Sequence, residues 1–236
     1  MIVEPIQTER ALLTWQRPLS VGGRRDRYAV GELRQIGDDV EFSYFPEEEL
    51  VAAREAGYHS YPGLLPDAER TRTEALSVLM RRLPPTDRSD FHEFMTTFGL
   101  APEAKFTHLS LLAYTGARLK SDSDSFGITE TFDGFVRSFD YVFDVAGIRH
   151  YREAFDAVPE GADVYFRHDT QNDKDNEAVE IVTSDNARLG YLNRFQARKM
   201  LQWLADGHVT ASIYRKNGRP DYPRLFVEAH IEPNAQ

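Results

Sequence analysis

The sequence contains no cysteine, so no disulfide can hold it together in an oxidising compartment. It also lacks long apolar runs. The longest, such as LLAY at 111–114, fall far short of the ~20 residues a membrane span needs. The opening MIVEPIQTERALLTW has neither the basic n-region nor the apolar h-region of a secretory signal, so a cytoplasmic protein without a membrane partner is expected. Its seven histidines show no metal-binding spacing. Neither a glycine-rich nucleotide loop nor a DFG metal site is present, and no cofactor is expected.

Positive charge is also in deficit. The formal net charge of −10 argues against a protein that coats nucleic acid through bulk electrostatics. The deficit is uneven, however. Between positions 188 and 224 lie eight basic residues (Arg188, Arg194, Arg198, Lys199, Arg215, Lys216, Arg219 and Arg224) against Asp206 and Asp221. Such a window is either a solvated face or the footprint of an anionic partner.

With 236 residues, 41% of them hydrophobic, the chain can bury a substantial core as one large domain or two small ones. The pattern favours two, 1–130 and 131–236, in an α+β chain. ALLTW, YAVGEL and VEFSY read as a small sheet separated by GlyGly and GlyAspAsp turns. A helical cluster follows. EEELVAAREAG stops at Gly57, AERTRTEALSVLMRR places Leu76, Leu79, Met80 and Leu83 on one face, SDFHEFMTTFG ends on Gly99, and a further helix follows Pro102. SDSDSFG (121–127) reads as irregular, with the domain boundary near 127–134.

Beyond it six segments read as strands: DYVFDVAG, DVYFR, AVEIVT, ARLGYL, HVTASIYR and RLFVEAHI. One helix interrupts them, with Asn193 as N-cap, Gln196 completing a capping box, an apolar face of Phe195, Ala197, Leu201 and Leu204, and Gly207 as terminator.

The run FRHDTQNDKDNEAVEI packs Asp169, Asp173, Asp175, Glu177 and Glu180 ahead of an apolar alternation. A calcium loop counted from Asp169 requires glycine at its sixth position, where Lys174 stands, and its flanks read as strands. Paired catalytic carboxylates, as in a metal-dependent nuclease, would need partners from separate elements. A third reading is a polar inter-strand loop whose Asp and Asn side chains bond their own backbone.

AGIRHY (146–151), DVYFRHDTQNDKDNEAVEI (163–181), LGYLNRFQARKMLQWLADG (189–207) and LFVEAHI (225–231), in this order, resemble the HIRAN domain over about residues 135–232. The resemblance implies a glycine-led first strand, a small barrel related to the OB-fold and capture of the 3′ end of single-stranded DNA. It further implies that Asp175 accepts a hydrogen bond from the terminal 3′ hydroxyl. Arg149 and His150 would supply a phosphate contact and a stacking surface, with Tyr191 beside the helix and Arg194 in its first turn to receive a phosphate. Lys174 stands where the family usually has an aromatic residue.

GEL (31–33), FSY (42–44), GYHSYPGL (57–64), RRLPPTDR (81–88) and LLAYTGARL (111–119) resemble the N-terminal subdomain of HipA-type proteins over about residues 10–127. That resemblance implies a docking or recognition module. The combined expectation is a non-enzymatic protein that binds single-stranded DNA or DNA ends, with a possible protein partner on the first half. The alternative is an adaptor without DNA binding that engages a kinase-like or toxin-type partner.

Overall fold

The computed structural model describes residues 1–18, 22, 26–64, 72–119, 125–220 and 222–234. The chain forms two compact units that interleave in sequence. One comprises Gln7–Phe91 and Phe106–Asp133; the other comprises Met1–Ile6, His92–Lys105 and Gly134–Gln236. The architecture is mixed α+β. No helix among the described residues is long and apolar enough to cross a membrane.

The first unit is built on an antiparallel sheet of β1 (Arg10–Gln16), β2 (Arg27–Ile36), β3 (Asp39–Tyr44) and β4 (Phe126–Glu130), in the order β3-β2-β1-β4. The central strand β1 is buried from Ala11 to Trp15, as expected for a strand covered on both faces. The three strands read from sequence all form, and β4 joins them from the far side of the helices. The expected boundary region at 127–134 therefore begins inside a strand. Positions 121–124 of the SDSDSFG stretch, positions 21 and 23–25 of the first turn, and positions 68–71 of the second helical segment lie outside the described residues.

Helix α1 (Glu47–Glu55) buries Leu50 and Ala53. Helix α2 (Arg72–Met80) buries Ala75 and Leu79, so the expected stripe is rotated away from Leu76 and Met80. Arg82, in the turn after α2, is buried, and its guanidinium donates to the Ala117 carbonyl at 2.5 Å and the Phe126 carbonyl at 3.0 Å. Helix α3 (Phe91–Thr97) follows, all but its first residue falling within the second unit. Helix α4 (His108–Thr115) starts later than Pro102, capped by the Thr107 side chain, which accepts from the Ser110 N–H.

β4 ends on Glu130, a fully buried carboxylate. It accepts from the Thr8 hydroxyl and, at 2.9 Å each, from the backbone N–H groups of Thr131 and Phe132. Burial raises its pKa to about 7 against the pull of these donors.

The second unit is built on β5 (Phe139–Asp144), β6 (Asp163–His168), β7 (Val179–Thr183), β8 (Arg188–Tyr191), β9 (His208–Arg219) and β10 (Tyr222–Glu232). All six expected strands form, in the antiparallel order β5-β10-β9-β6-β7-β8. The two ends of that order meet. Just beyond β5, Ala146 exchanges both backbone hydrogen bonds with Tyr191 of β8 at 2.8 Å each, which curls the sheet into an OB-like barrel.

Gly190 makes this closure possible. Its φ is +151°, and a Cβ there would lie 2.4 Å from the Ala146 carbonyl oxygen and 2.7 Å from Val145. The core of this unit buries Phe143, Phe166, Ile181, Leu189, Ile213 and Val227, with Phe143 packed edge-on against Phe166. Phe98, just after α3, packs edge-on against Phe226 with ring centroids 5.8 Å apart.

Two expectations for this unit need correction. Residues 146–151 do not form a strand: after the bridge at Ala146 the chain turns at Gly147, makes a 3-10 turn (Ile148–His150) and enters a short helix α5 (Arg152–Ala157). The main helix α6 (Arg194–Asp206) buries Gln196, Ala197, Met200 and Trp203, whereas Leu204 is exposed. Its Asn193 cap accepts from the Phe195 N–H, one position earlier than a capping box requires.

Candidate nucleic-acid interface

The β6–β7 connection is a sequence of side-chain-stabilised turns. Asp169 Oδ1 accepts from the Gln171 N–H at 3.3 Å, Asn172 Oδ1 accepts from the N–H groups of Lys174 and Asp175 at 3.0 and 3.1 Å, and Asp175 Oδ1 accepts from the Glu177 N–H at 3.1 Å. Each Asp or Asn folds the backbone two or three residues ahead of it, which accounts for their three-residue spacing. The loop is closed at its neck by the Asp169 N–H bonding to the Ala178 carbonyl at 2.8 Å. Asp169, Asn172 and Asp175 thus bond their own backbone, as the polar-loop reading of the sequence expects. Among the described residues no group of three or more His, Asp or Glu side chains is arranged to hold a metal ion.

Asp175 is half-buried where the loop meets α6. With Oδ1 engaged by the backbone, Oδ2 faces Arg194, the first residue of α6, at 3.6 Å from Nε. Lys174, next to it, is exposed, and its position is fixed by the N–H bond to Asn172.

Tyr191 is held by two partners. Its hydroxyl donates to Asp169 Oδ2 at 2.8 Å and accepts from Arg188 Nη1 at 2.7 Å, while the Arg188 guanidinium carbon lies 5.2 Å from the ring centroid. Burial, and then the bond to Asp169, push the Tyr191 pKa above its usual range. That bond, and further the Arg188 charge, hold the Asp169 carboxyl below the ordinary aspartate range. Beneath them Glu180, paired across strands with both Tyr191 and Arg167, is buried and binds the guanidinium groups of Arg167 and Arg188.

Arg149 and His150 project from the 3-10 turn as exposed side chains, with Arg149 Nε donating to His150 Nε2 at 3.1 Å. Buried Ile148 anchors the turn, and the Ala146–Tyr191 bridge sets it beside β8.

The six residues singled out in the sequence therefore fall on adjacent elements at one end of the barrel: Arg149 and His150 on the turn, Lys174 and Asp175 on the loop, Tyr191 at the end of β8 and Arg194 opening α6. Direct contacts join Asp175 to Arg194 and Arg149 to His150. Sequence reasoning missed Asn172 and the Asp169–Tyr191–Arg188–Glu180 network that holds the site. The alternation around Glu180 was a signal for it, since an acid on a strand buried throughout requires a cationic partner.

Four of the eight basic residues in the window are paired with carboxylates from other elements. Arg188 binds Glu180 and Asp169, Arg194 faces Asp175, Arg198 lies 3.3 Å from Glu177, and Arg224 lies 2.9 Å from Asp144. The net charge counted along the sequence is thus not a bare positive surface.

Comparison with known proteins matches residues 138–232 to the HIRAN domain family. Two solved structures are similar to part of the chain. The HIRAN domain of human HLTF has 18% identity and a TM-score of 0.32, covering 42% of this chain and 81% of its own. A protein from Lactobacillus plantarum has 20% identity and a TM-score of 0.32, covering 40% of this chain and 95% of its own. A search of curated proteins found no match.

Proposed function

We propose that the barrel unit binds single-stranded DNA without catalysing its reaction, and that it recognises the 3′-hydroxyl end. The match of residues 138–232 to the HIRAN family supports DNA binding, and one observation carries the end-reading: Asp175 keeps a carboxylate oxygen turned out of its own loop, next to the Arg194 guanidinium. A terminal hydroxyl needs an acceptor and its neighbouring phosphate needs a cation, and the pair offers both. The Tyr191 ring, fixed through its hydroxyl by Asp169 and Arg188, supplies a rigid face beside them. Arg149 and His150 add a donor and a flat ring on the adjacent turn.

A titration of short single strands that differ only at the 3′ terminus tests this reading. A strand ending in a free hydroxyl binds more tightly than the same strand blocked there. Equal binding of the two removes the end-reading while leaving general strand binding in place.

The second reading is an adaptor that has lost DNA binding. The pairing of Arg188, Arg194, Arg198 and Arg224 with carboxylates favours it, as does a lysine at position 174 where stacking on a base would need a ring. In either reading we assign the first unit a recognition role toward a protein partner, on its resemblance to the HipA N-terminal subdomain. Absence of any strand binding at low salt by the whole chain decides for the adaptor.

A further inference from the structure

We propose that Arg198 extends the phosphate-binding track one helical turn beyond Arg194, and that Glu177, with Asp175, occupies this track in the free protein as an internal competitor for backbone phosphates. The proposal rests on the strand-binding reading above and deepens it. It identifies the ligand as a strand long enough to carry several phosphates inward from its end.

The arginines at this end of the barrel are of two kinds. Arg188 and Arg167 bind Glu180, whose side chain is only 4% exposed, and Arg188 also supports Tyr191. Withdrawing either arginine would strand a buried carboxylate, so both are committed to the fold. Arg194 and Arg198 are different. Arg194 lies 3.6 Å from Asp175, with side-chain exposures of 49% and 24%, and Arg198 lies 3.3 Å from Glu177, with exposures of 79% and 43%. Ion pairs this open are worth about 0–1 kcal/mol, and an incoming phosphate can replace them.

The spacing matches on both sides. Arg194 and Arg198 are i and i+4 on α6, hence neighbours on one face about 6 Å apart along the axis. Asp175 and Glu177 are two residues apart in the loop, and the bond from the Glu177 N–H to Asp175 Oδ1 fixes their separation. A row of two carboxylates therefore lies along a row of two guanidinium groups.

A phosphodiester strand presents the same alternation of anions and gives guanidinium the charge-assisted, two-pronged bonding that a single carboxylate contact here does not. When a strand enters, Glu177 gives up Arg198. Asp175 retains its backbone bond and remains in place to accept from the terminal hydroxyl.

The test uses the whole chain and two 5′-labelled probes with free 3′ hydroxyls, a dithymidylate and a hexathymidylate, titrated by fluorescence anisotropy over a salt series. Glu177→Gln is expected to tighten hexamer binding by about three- to fivefold, the scale of one exposed ion pair, and to leave the dimer unchanged. Arg198→Ala is expected to weaken hexamer binding and to flatten its salt dependence by about 0.7 in slope, the value for one phosphate on a single strand. In the Arg198→Ala background, Glu177→Gln should then give no gain.

If the wild-type protein binds the hexamer and both single variants match it in affinity and slope, the extended track is wrong and the end-reading stands. A gain from Glu177→Gln that persists without Arg198 also overturns the proposal, since it would reflect general charge and not this pair. Failure of the wild-type protein to bind either probe overturns both readings.

Discussion

The Tyr191 hydroxyl sits between Asp169 Oδ2, 2.8 Å away, and Arg188 Nη1, 2.7 Å away, so the ring at the edge of the candidate site is positioned by a polar network below it. Separating the hydroxyl from the ring is therefore informative. Tyr191→Phe should lower stability by about 1–2 kcal/mol in chemical denaturation, the scale of a part-buried hydrogen bond to a charged partner, yet leave strand affinity within about twofold. Tyr191→Ala removes the face as well and should weaken binding at least tenfold.

The same bond sets an acid limit. The Asp169 carboxyl is held below its ordinary range, so its contribution is present above the unfolded-state pKa and is lost as pH falls through the depressed folded value. The acid-unfolding midpoint of Tyr191→Phe should accordingly lie at higher pH than that of the wild type, as measured by circular dichroism.

Barrel closure depends on Gly190. Replacing it with alanine places a Cβ 2.4 Å from the Ala146 carbonyl oxygen and imposes strain at a φ of +151°. A loss of more than about 2 kcal/mol in unfolding free energy is expected, with accelerated amide exchange at Ala146 and Tyr191, whose N–H groups close the barrel. Unchanged exchange at these two amides would mean that the strands meet elsewhere.

Glu130 gives the first unit a pH dependence of opposite sign. Its pKa is raised to about 7 from an ordinary 4.5, so the folded state holds a proton that the unfolded state has lost. Stability is then greatest below about pH 4.5 with respect to this group and declines as pH rises to 7. Glu130→Gln keeps an oxygen for the Thr131 and Phe132 N–H groups. Its stability advantage over wild type should grow between pH 5 and pH 8, toward a limit on the order of 3 kcal/mol, as read from paired thermal melts.

Lys174 occupies the exposed corner of the loop, next to Asp175. Its backbone N–H, not its side chain, makes the turn-forming bond to Asn172, so Lys174→Tyr leaves the loop intact. A ring at this position should tighten strand binding by about 1–3 kcal/mol, measured by the same anisotropy titration.

All strands except β4 were legible because period-two alternation and turn residues are local signals; β4 reads in the sequence as part of an irregular domain boundary. Closure was not legible, because Ala146 and Tyr191 belong to separate elements with β6, β7 and their loop between them in the sequence. The burial stripe of α6 was misread through Phe195 and Leu204; Met200 and Trp203 face the core instead, and helical periodicity alone cannot choose between neighbouring stripes.

For the candidate site, the family resemblance located the loop and the start of α6, whereas the turn carrying Arg149 and His150 reads in the sequence as a strand. The positioning of Tyr191 and Asp175 is due to Asp169, Asn172, Arg188 and Glu180, whose roles arise from cross-strand pairing and from bonds between elements. The charge count misled for the same reason. Counting Arg188, Arg194, Arg198 and Arg224 as a surplus ignored Glu180, Asp175, Glu177 and Asp144, which lie outside the counted window but adjacent in space.

The most direct test of the end-reading is the affinity of one short single strand carrying a 3′ hydroxyl compared with its 3′-phosphorylated form, for the wild type and Asp175→Asn. An ionised carboxylate accepts from a hydroxyl and repels an added phosphate, so the wild type should prefer the hydroxyl form, and Asp175→Asn should narrow that preference. Arg194→Ala should weaken both forms alike. Equal affinity of the wild type for the two strands, or a preference that Asp175→Asn leaves unchanged, would contradict the assignment of Asp175 as the reader of the strand end.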